Sequence, residues 1–330
     1  RMARLTINDK DAVPEGFGET LDAGIAETER IKSKWENEKI SVTASTIGIT
    51  YCEPDQLIEL WKWTDENNRQ FDIHAPAVFD QKYLAARRGW EGGSFEWLDH
   101  VGILGPNVIA AHAQNLRPGE EKLIADAGAS IALVPDMEQV LGLVNFNARP
   151  FLDSNITCGL GLDGAVVAYG HNMWTAMRGY LTAQRMGDQH RLMMSETDIK
   201  WTGEEVLYGS AEQALELATI DGAKALMMDD KIGSIETGKE ADLVLIDRTE
   251  ESHLTPMGSL IASLVYGNGP NQNAIEAVMV HGEVIVKRGQ HQTLDHRKIV
   301  ERSDQVQEIL LDETNARQYL RKRSRFNWID

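Results

Sequence analysis

The sequence is short of the residues that mark several common protein classes. It has two cysteines in 330 residues, Cys52 and Cys158, and no Cys-x-x-Cys pair. That argues against a disulfide framework and against a cysteine zinc site. Both thiols sit in apolar, strand-like surroundings, which predicts buried free cysteines and a reducing, cytoplasmic setting. No run approaches the roughly 18 apolar residues of a membrane helix, and the opening Arg-Met-Ala-Arg-Leu has no apolar signal-peptide core. Cations are also scarce: 33 Lys and Arg face 51 Asp and Glu, a net charge of -18. Phosphate binding needs clustered cations, so neither nucleic acid nor membrane is expected as a partner. The acidity reads as solubility. No Gly-x-Gly-x-x-Gly follows the first strand pattern, which weakens a dinucleotide-binding reading.

What is present is a repeating alternation. Short apolar runs at Ala3–Ile7, Ile40–Ala44, Phe71–His74, Val108–His112, Ser130–Val134 and Thr157–Leu162 read as strands. Between them, Glu19–Trp35, Pro54–Glu66, Gly119–Ala127 and Asn172–Arg185 carry helical patterns; Pro54–Glu66 places Leu57, Leu60 and Trp61 on one face. Strands alternating with helices imply βαβ units and a parallel sheet. Four of the six runs end in polar or ionisable residues: Asn8 and Asp9, His74, His112 and Asp163. In a (β/α)8 barrel the C-terminal strand ends converge on one mouth, where the site lies. The pattern therefore favours a barrel over a doubly wound sheet. After Asp230 it changes. Leu243–Ile246, Ile275–Val280 and Val284–Lys287 read as strands, the last two joined through His281-Gly282-Glu283 as a hairpin. The expected organisation is a barrel over 1–230, part of a small β-sandwich over 231–290, and a helical polar tail over 291–330. The basic cluster at 320–325 reads as solvated tail.

Of nine histidines, His253, His281, His291 and His296 fall in turns of the late region and His190 in a polar loop. His74 and His112 differ, because each ends an apolar strand pattern. A lone histidine there is more often structural. Two of them, with an aspartate in the same relative position, point to a metal site of imidazole and carboxylate ligands. Asp163 ends Cys158-Gly-Leu-Gly-Leu-Asp163-Gly-Ala, with small neighbours that leave its carboxylate exposed. Such a group can hold a divalent metal and take a proton from its water. Taken alone, it reads equally as an Asx-turn capping a helix. His171, in Tyr-Gly-His-Asn-Met-Trp, is a candidate substrate contact at a helix start.

The segment Ala218-Thr-Ile-Asp-Gly-Ala-Lys-Ala-Leu, followed by Ile232-Gly-Ser-Ile-Glu-Thr-Gly-Lys-Glu-Ala-Asp-Leu-Val-Leu-Ile-Asp247, closely resembles amidohydrolases of the cytosine deaminase and triazine hydrolase group. The order His74, His112, Leu-Gly-Leu-Asp163-Gly also matches, and the resemblance runs to about Gly289. It implies a (β/α)8 TIM-type barrel with a small β-sandwich part, and one divalent metal, zinc or alternatively iron. It further implies that His74 and Asp163 bind the metal and that His112 orients the hydrolytic water or polarises the substrate. The implied reaction is attack of an activated hydroxide on a C–N bond of a heterocycle or amide, as in a deaminase. A small-molecule substrate and a homo-oligomer follow by analogy.

Two departures bear on this. The family opens its barrel with His-x-His on the first strand, and no His-x-His occurs here. In the matching order Ala3–Ile7 is the third strand, so the first two barrel strands and half of the β-sandwich have no counterpart. The second departure follows His74. Many of the group's deaminases carry His-x-x-Glu, whose Glu protonates the substrate ring, whereas this chain reads His74-Ala-Pro-Ala77. Glu138, in Pro135-Asp-Met-Glu138, is the candidate replacement, against the plain alternative of a surface Glu starting a helix. Two other readings stay open: the same fold performing dechlorination or ring amide hydrolysis, and an inactive degenerate barrel serving as a binding or structural subunit.

Overall fold

The computed structural model describes residues 18–75, 80–113, 115–142, 146–164, 170–194, 208–254, 258–314 and 317, and the backbone of 2–6. Asn8, Asp9, Ala77 and the basic cluster at 320–325 lie outside the described residues. Parallel strands follow one another in chain order. β1 (Met2–Thr6) pairs with β2 (Ser41–Ser45), and β3 (Phe71–His74), β4 (Val108–Ala111), β5 (Ser130–Leu133) and β6 (Cys158–Leu160) form a second parallel set. Between the two sets, side chains take over part of the ladder. Thr43 Oγ1 donates to the Gln70 carbonyl at 2.9 Å, Ser45 Oγ donates to that of Asp72, and His74 N donates to Ile47 O at 3.1 Å. Gly48 bridges to His74 in parallel, and a Cβ at Gly48 would stand 3.2 Å from the His74 carbonyl oxygen.

Strands β2 to β6 are largely buried on both sides, as a parallel sheet under helices must be. Phe71, Ile73, Ala110, Ile131, Leu133 and Cys158 join Leu57, Leu60 and Ile124 of the covering helices in one core. α1 (Leu21–Trp35) starts where Thr20 accepts from Ala23 N. α2 (Pro54–Glu66) starts with Pro54 and a Glu53–Gln56 capping box, and it buries Leu57, Leu60 and Thr64. Leu57 and Leu60 are the apolar face expected from its spacing; Trp61 is half-buried at its edge and donates Nε1 to Asn107 Oδ1 at 3.0 Å. α3 (Asp80–Arg88) and α4 (Ser94–His100) lie between β3 and β4; α5 (Glu120–Ala127) lies between β4 and β5 and ends at left-handed Gly128. α6 (Pro135–Val140) and α7 (Arg149–Asp153) precede β6.

After β6 comes α8 (Met173–Met194), longer than the pattern ending at Arg185 foretells, then α9 (Ala211–Ala218) and α10 (Ile220–Ala225). His190 therefore lies on a helix, not in a polar loop: beyond Leu181 and Ala183 on the core, buried Gln184 and Asp188, hydrogen-bonded to Ala148 and Arg149, keep the helix seated towards its end. Cys158 is a buried strand thiol as expected; Cys52 is buried but sits in a bend after β2, where its Sγ donates to Thr46 Oγ1.

The second sheet is antiparallel, in the order β10-β9-β8-β7, from β7 (Leu243–Ile246), β8 (Ile275–Val280), β9 (Glu283–Lys287) and β10 (Gln290–His291). The expected hairpin is present: Val280 pairs with Glu283, and His281 and Gly282 have φ of 51° and 75°. Positive φ at both central positions is what a twisted two-residue hairpin requires. α11 (Leu260–Tyr266) precedes β8, and α12 (His296–Glu313) follows the sheet. Among the late histidines only His281 sits in a turn. His253 is in a 3-10 helix, His291 is in β10 and His296 opens α12. No helix among the described residues is long and apolar enough to cross a membrane.

Two outcomes follow. β6 runs so close to α10 that a Cβ on Gly159 would stand 2.9 Å from Gly222 Cα. Gly159→Ala is expected to cost about 1–3 kcal/mol, read as a lower urea midpoint with the slope unchanged. At the hairpin, His281 Nδ1 lies 2.9 Å from Glu240 Oε2, and this hydrogen bond raises the imidazole above its ordinary pKa. The charged form is thus favoured in the folded state, and the stabilisation is lost as pH rises through the raised value. His281→Gln should lose stability relative to the parent at about pH 6, with the difference fading above about pH 8. Urea titrations at both pH values check this.

Candidate active site

The strand register brings three ligand-type residues to one rim. His74 ends β3 opposite Ala111, the last residue of β4, and His112 follows immediately. The β5–β6 register pairs Leu133 with Leu160 and leads into Gly161 and Asp163 at the same end. There the chain bends sharply: His112, Ala113 and Asp163 have φ of 72°, 48° and 56°. Left-handed backbone at non-glycine residues costs of order 1 kcal/mol or more each and tends to gather at functional sites. Here it turns side chains at the strand ends towards one another.

The His74 and His112 rings meet edge to face, 4.8 Å between centroids at 64°. His112 Nε2 is 3.9 Å from Asp163 Oδ2, and His112 Nδ1 is 3.6 Å from Glu138 Oε1. Neither separation is a hydrogen bond. One imidazole thus stands between two carboxyl groups and is bonded to neither. Asp163 is anchored through its other oxygen, which accepts from Gly164 N at 2.6 Å and leaves Oδ2 facing His112. His171 is drawn in as well: its Nε2 lies 3.0 Å from the Asp163 carbonyl oxygen, so it ties the segment before α8 to the turn after β6.

Glu138 is the most unusual group in the site. It is 1% exposed, which overturns the alternative of a surface residue. Pro135 opens α6 directly after β5, and the first turn carries Glu138 inward. Among the described residues neither carboxylate oxygen accepts a hydrogen bond. An unsatisfied buried carboxyl group is costly, and buried polar groups are nearly always paired. Both groups, Glu138 and His112, line a cavity of about 930 Å³ between the rim, α7 and α8. That is ample for a drug-sized molecule.

The donors present are imidazoles and carboxylates, the types that suit a divalent metal. Their number falls short: among the described residues no three His, Cys, Asp or Glu side chains converge on a metal-binding point. A catalytic zinc takes three protein ligands, so these residues fit part of such a site. The sequence pointed to His74, His112, Asp163, His171 and Glu138, and the structure brings them to one region. It gave no sign of the cavity's far wall. There Arg149 Nε and Nη2 reach the Asp188 carboxylate at 2.9 and 3.1 Å, and Gln184 Oε1 accepts from Ala148 N at 2.7 Å. The only local signal for this wall is the Asp188–Arg191 spacing within α8.

An arc of parallel strands under helices, with site residues at the strand ends, defines an α/β protein of TIM-barrel type. The chain belongs to the Amidohydrolase family, whose model matches residues 4–285. It is 23% identical over 288 residues to a 5-methylthioadenosine/S-adenosylhomocysteine deaminase of Desulforamulus reducens, covering 86% of this chain and 62% of the relative. It is 24% identical over 265 residues to a 5'-deoxyadenosine deaminase of Methanosarcina mazei, covering 80% and 56%. The chain therefore spans about three fifths of the length of the curated relatives it matches. Among solved structures, a zinc-bound adenosine deaminase from Xanthomonas campestris superposes with a TM-score of 0.78 at 20% identity, covering 93% of this chain and 65% of that one. A zinc complex of atrazine chlorohydrolase from Arthrobacter aurescens gives 0.78 at 20%, covering 91% and 64%. At that identity the likeness is one of fold.

If Glu138 is held unpaired for function, replacing its carboxyl group by an amide should relieve the fold. Glu138→Gln is expected to raise stability at neutral pH by about 1 kcal/mol or more, measured by urea unfolding. A loss of stability would show that the carboxylate is structurally satisfied.

Proposed function

We propose that the protein is a metal-dependent amidohydrolase that hydrolyses a C–N bond of a heterocyclic small molecule, in the manner of a deaminase. The observation that carries this is Glu138: a buried carboxyl group without a partner, 3.6 Å from His112 at the mouth of a cavity. The family membership and the deaminase names of the relatives support the reaction class. In this reading His74 and Asp163 would hold a single divalent metal, zinc in first preference, because zinc is present in the solved neighbours. Such a metal acidifies bound water to near neutral pH.

The remaining chemistry falls to the chain's own side chains. Asp163 Oδ2, the oxygen not engaged by Gly164, accepts the proton from water. His112, with one ring nitrogen facing Asp163 and the other Glu138, orients the attacking water and the scissile group. Glu138 donates a proton to the ring or the leaving amine, taking the place of the family glutamate that this sequence lacks after His74. His171 positions the turn that bears Asp163 and contacts the substrate. We also read the chain as a barrel over 1–230, a sandwich portion over 231–290 and a helical tail over 291–330.

The test is product analysis on the protein purified from its native source with its metal quantified. The substrates are 5'-methylthioadenosine, 5'-deoxyadenosine, guanine and atrazine. Ammonia release is expected. Chloride without ammonia moves the assignment to dechlorination, a new carboxylate without either moves it to ring amide hydrolysis, and none of the three from metal-replete protein points to the non-catalytic subunit. Asp163→Asn and Glu138→Gln should each lower kcat by about 10²–10⁴, with the folded state retained by circular dichroism.

A further inference from the structure

α12 (His296–Glu313) is 18 residues long, and none of its residues is buried. Only Leu311 is even half-buried. The helix nevertheless has an apolar face. Ile299, Ser303, Val306 and Leu310 fall at i, i+4, i+7 and i+11, one stripe along its length, with Val300 and Ile309 on the flanks. The aliphatic side chains of this set are between 38% and 52% exposed. Contiguous exposed apolar surface marks an interaction site. A lone helix of this length is marginal in water, and helices in proteins owe most of their stability to packing of the apolar face. The charges are a second observation. The N-terminal half carries Arg297, Lys298 and Arg302 against Glu301; the C-terminal half carries Asp304, Glu308, Asp312 and Glu313 and no cation. The first turn has no acidic residue and the last turn no basic one. Both halves thus oppose the helix dipole, which favours anions at the N-terminus and cations at the C-terminus. Local contacts relieve part of this. Asp295 caps the start, accepting from Lys298 N at 3.2 Å, and its other oxygen lies 3.6 Å from Lys298 Nζ. Arg317, beyond the helix, reaches Glu308 and Asp312. Arg302 donates to the uncharged Gln305 at 3.2 Å.

We infer that α12 is an interface between two copies of this chain, paired antiparallel through the Ile299–Leu310 stripe. A two-fold axis midway between Ser303 and Val306 sets Ile299 of each copy against Leu310 of the other, so one patch covers itself, as a two-fold interface requires. The same axis lays the basic half of each helix along the acidic half of its partner, at both ends at once. A parallel pair would set like charges side by side. The charge order that opposes the lone helix's dipole is thus matched in the pair. A helix of this length spans about 27 Å, which makes a small interface and a micromolar association. The acidic half disfavours an anionic membrane surface as the occupant. None of this depends on the deaminase reading.

Sedimentation equilibrium of the full chain at micromolar concentrations tests this. The parent should dimerise, and Val306→Asp should raise the dissociation constant about tenfold or more. Two charge variants make the test specific for antiparallel pairing. In the first, Arg297→Glu and Arg302→Glu turn the basic half acidic. In the second, Asp304→Lys, Glu308→Lys and Glu313→Lys turn the acidic half basic. Both changes agree with the helix dipole, so circular dichroism should show helix content undiminished. Each variant alone should be monomeric, because like charges then meet at both ends. An equal mixture of the two should form a heterodimer, which added salt weakens. A parent dimer that Val306→Asp leaves as tight, charge variants that dimerise alone as well as the parent does, or a mixture that stays monomeric would each overturn the inference. So would a monomeric parent: protection of its α12 amides from hydrogen exchange would then assign the face to another segment of the same polypeptide, and sedimentation with phosphatidylcholine vesicles would assign it to a membrane surface.

Discussion

The site depends on the register of the parallel strands. His74, Ala111, Ala132 and Gly159 are brought level because β3, β4, β5 and β6 pair in step. Parallel pairing fixes both direction and position, and a one-residue slip would turn each side chain to the other face. The candidate site residues lie at the end of that ladder and just past it. His112 N still donates to Ala132 O at 3.0 Å and Gly161 N to Leu133 O at 2.7 Å. The sheet therefore holds each strand end firmly while the left-handed residues beyond it bend side chains across the rim. A rigid ladder ending in strained turns lets groups far apart in sequence stand 3.6–3.9 Å apart.

A second constraint is the seating of α8. Gln139 Nε2 bridges the Pro135 and Gly179 carbonyls at 3.0 and 3.2 Å, and Gly179 allows the approach. At its other end, Gln184 and Asp188 are held by Ala148 N and Arg149. Among the described residues Gln139, Gln184 and Asp188 are each paired. Glu138, one turn away on α6, is not. The contrast gives the cavity its character: walls locked by satisfied hydrogen bonds enclose a carboxyl group left for something else. Breaking a buried pair leaves an uncompensated charge, so the Arg149–Asp188 pair tolerates little change, whereas an unpaired buried carboxyl group costs stability.

Membership in the Amidohydrolase family fits this design, because TIM-type barrels place chemistry at strand ends and vary it through the loops and helices beyond them. The adenosine deaminase and the atrazine chlorohydrolase share the architecture at 20% identity, so the fold alone does not choose between amine and chloride as the leaving group. In the proposed reading that choice rests with the groups lining the cavity, Glu138 among them.

Much of this was legible in the sequence. Period-two and short apolar runs located all six parallel strands to within a residue or two, since burial of a parallel strand leaves its mark on consecutive residues. His74, His112 and Asp163 stood out because each closes such a run. The hairpin at His281-Gly282 followed from turn chemistry. Glu138 was visible only as a candidate, because one acidic residue in a helix's first turn reads the same whether it faces solvent or core; its burial is set by how α6 meets β5 and α8. The length of α8, the helical place of His190 and the Arg149–Asp188–Arg191 wall were not legible, because polar residues on a long helix carry no periodic signal of what they face. The sequence by itself determined the order of strands and which residues terminate them, as those are local properties of hydrophobic pattern and backbone. Only the tertiary structure decided which terminal groups meet and which acid is left unpaired, because these depend on contacts between segments tens of residues apart.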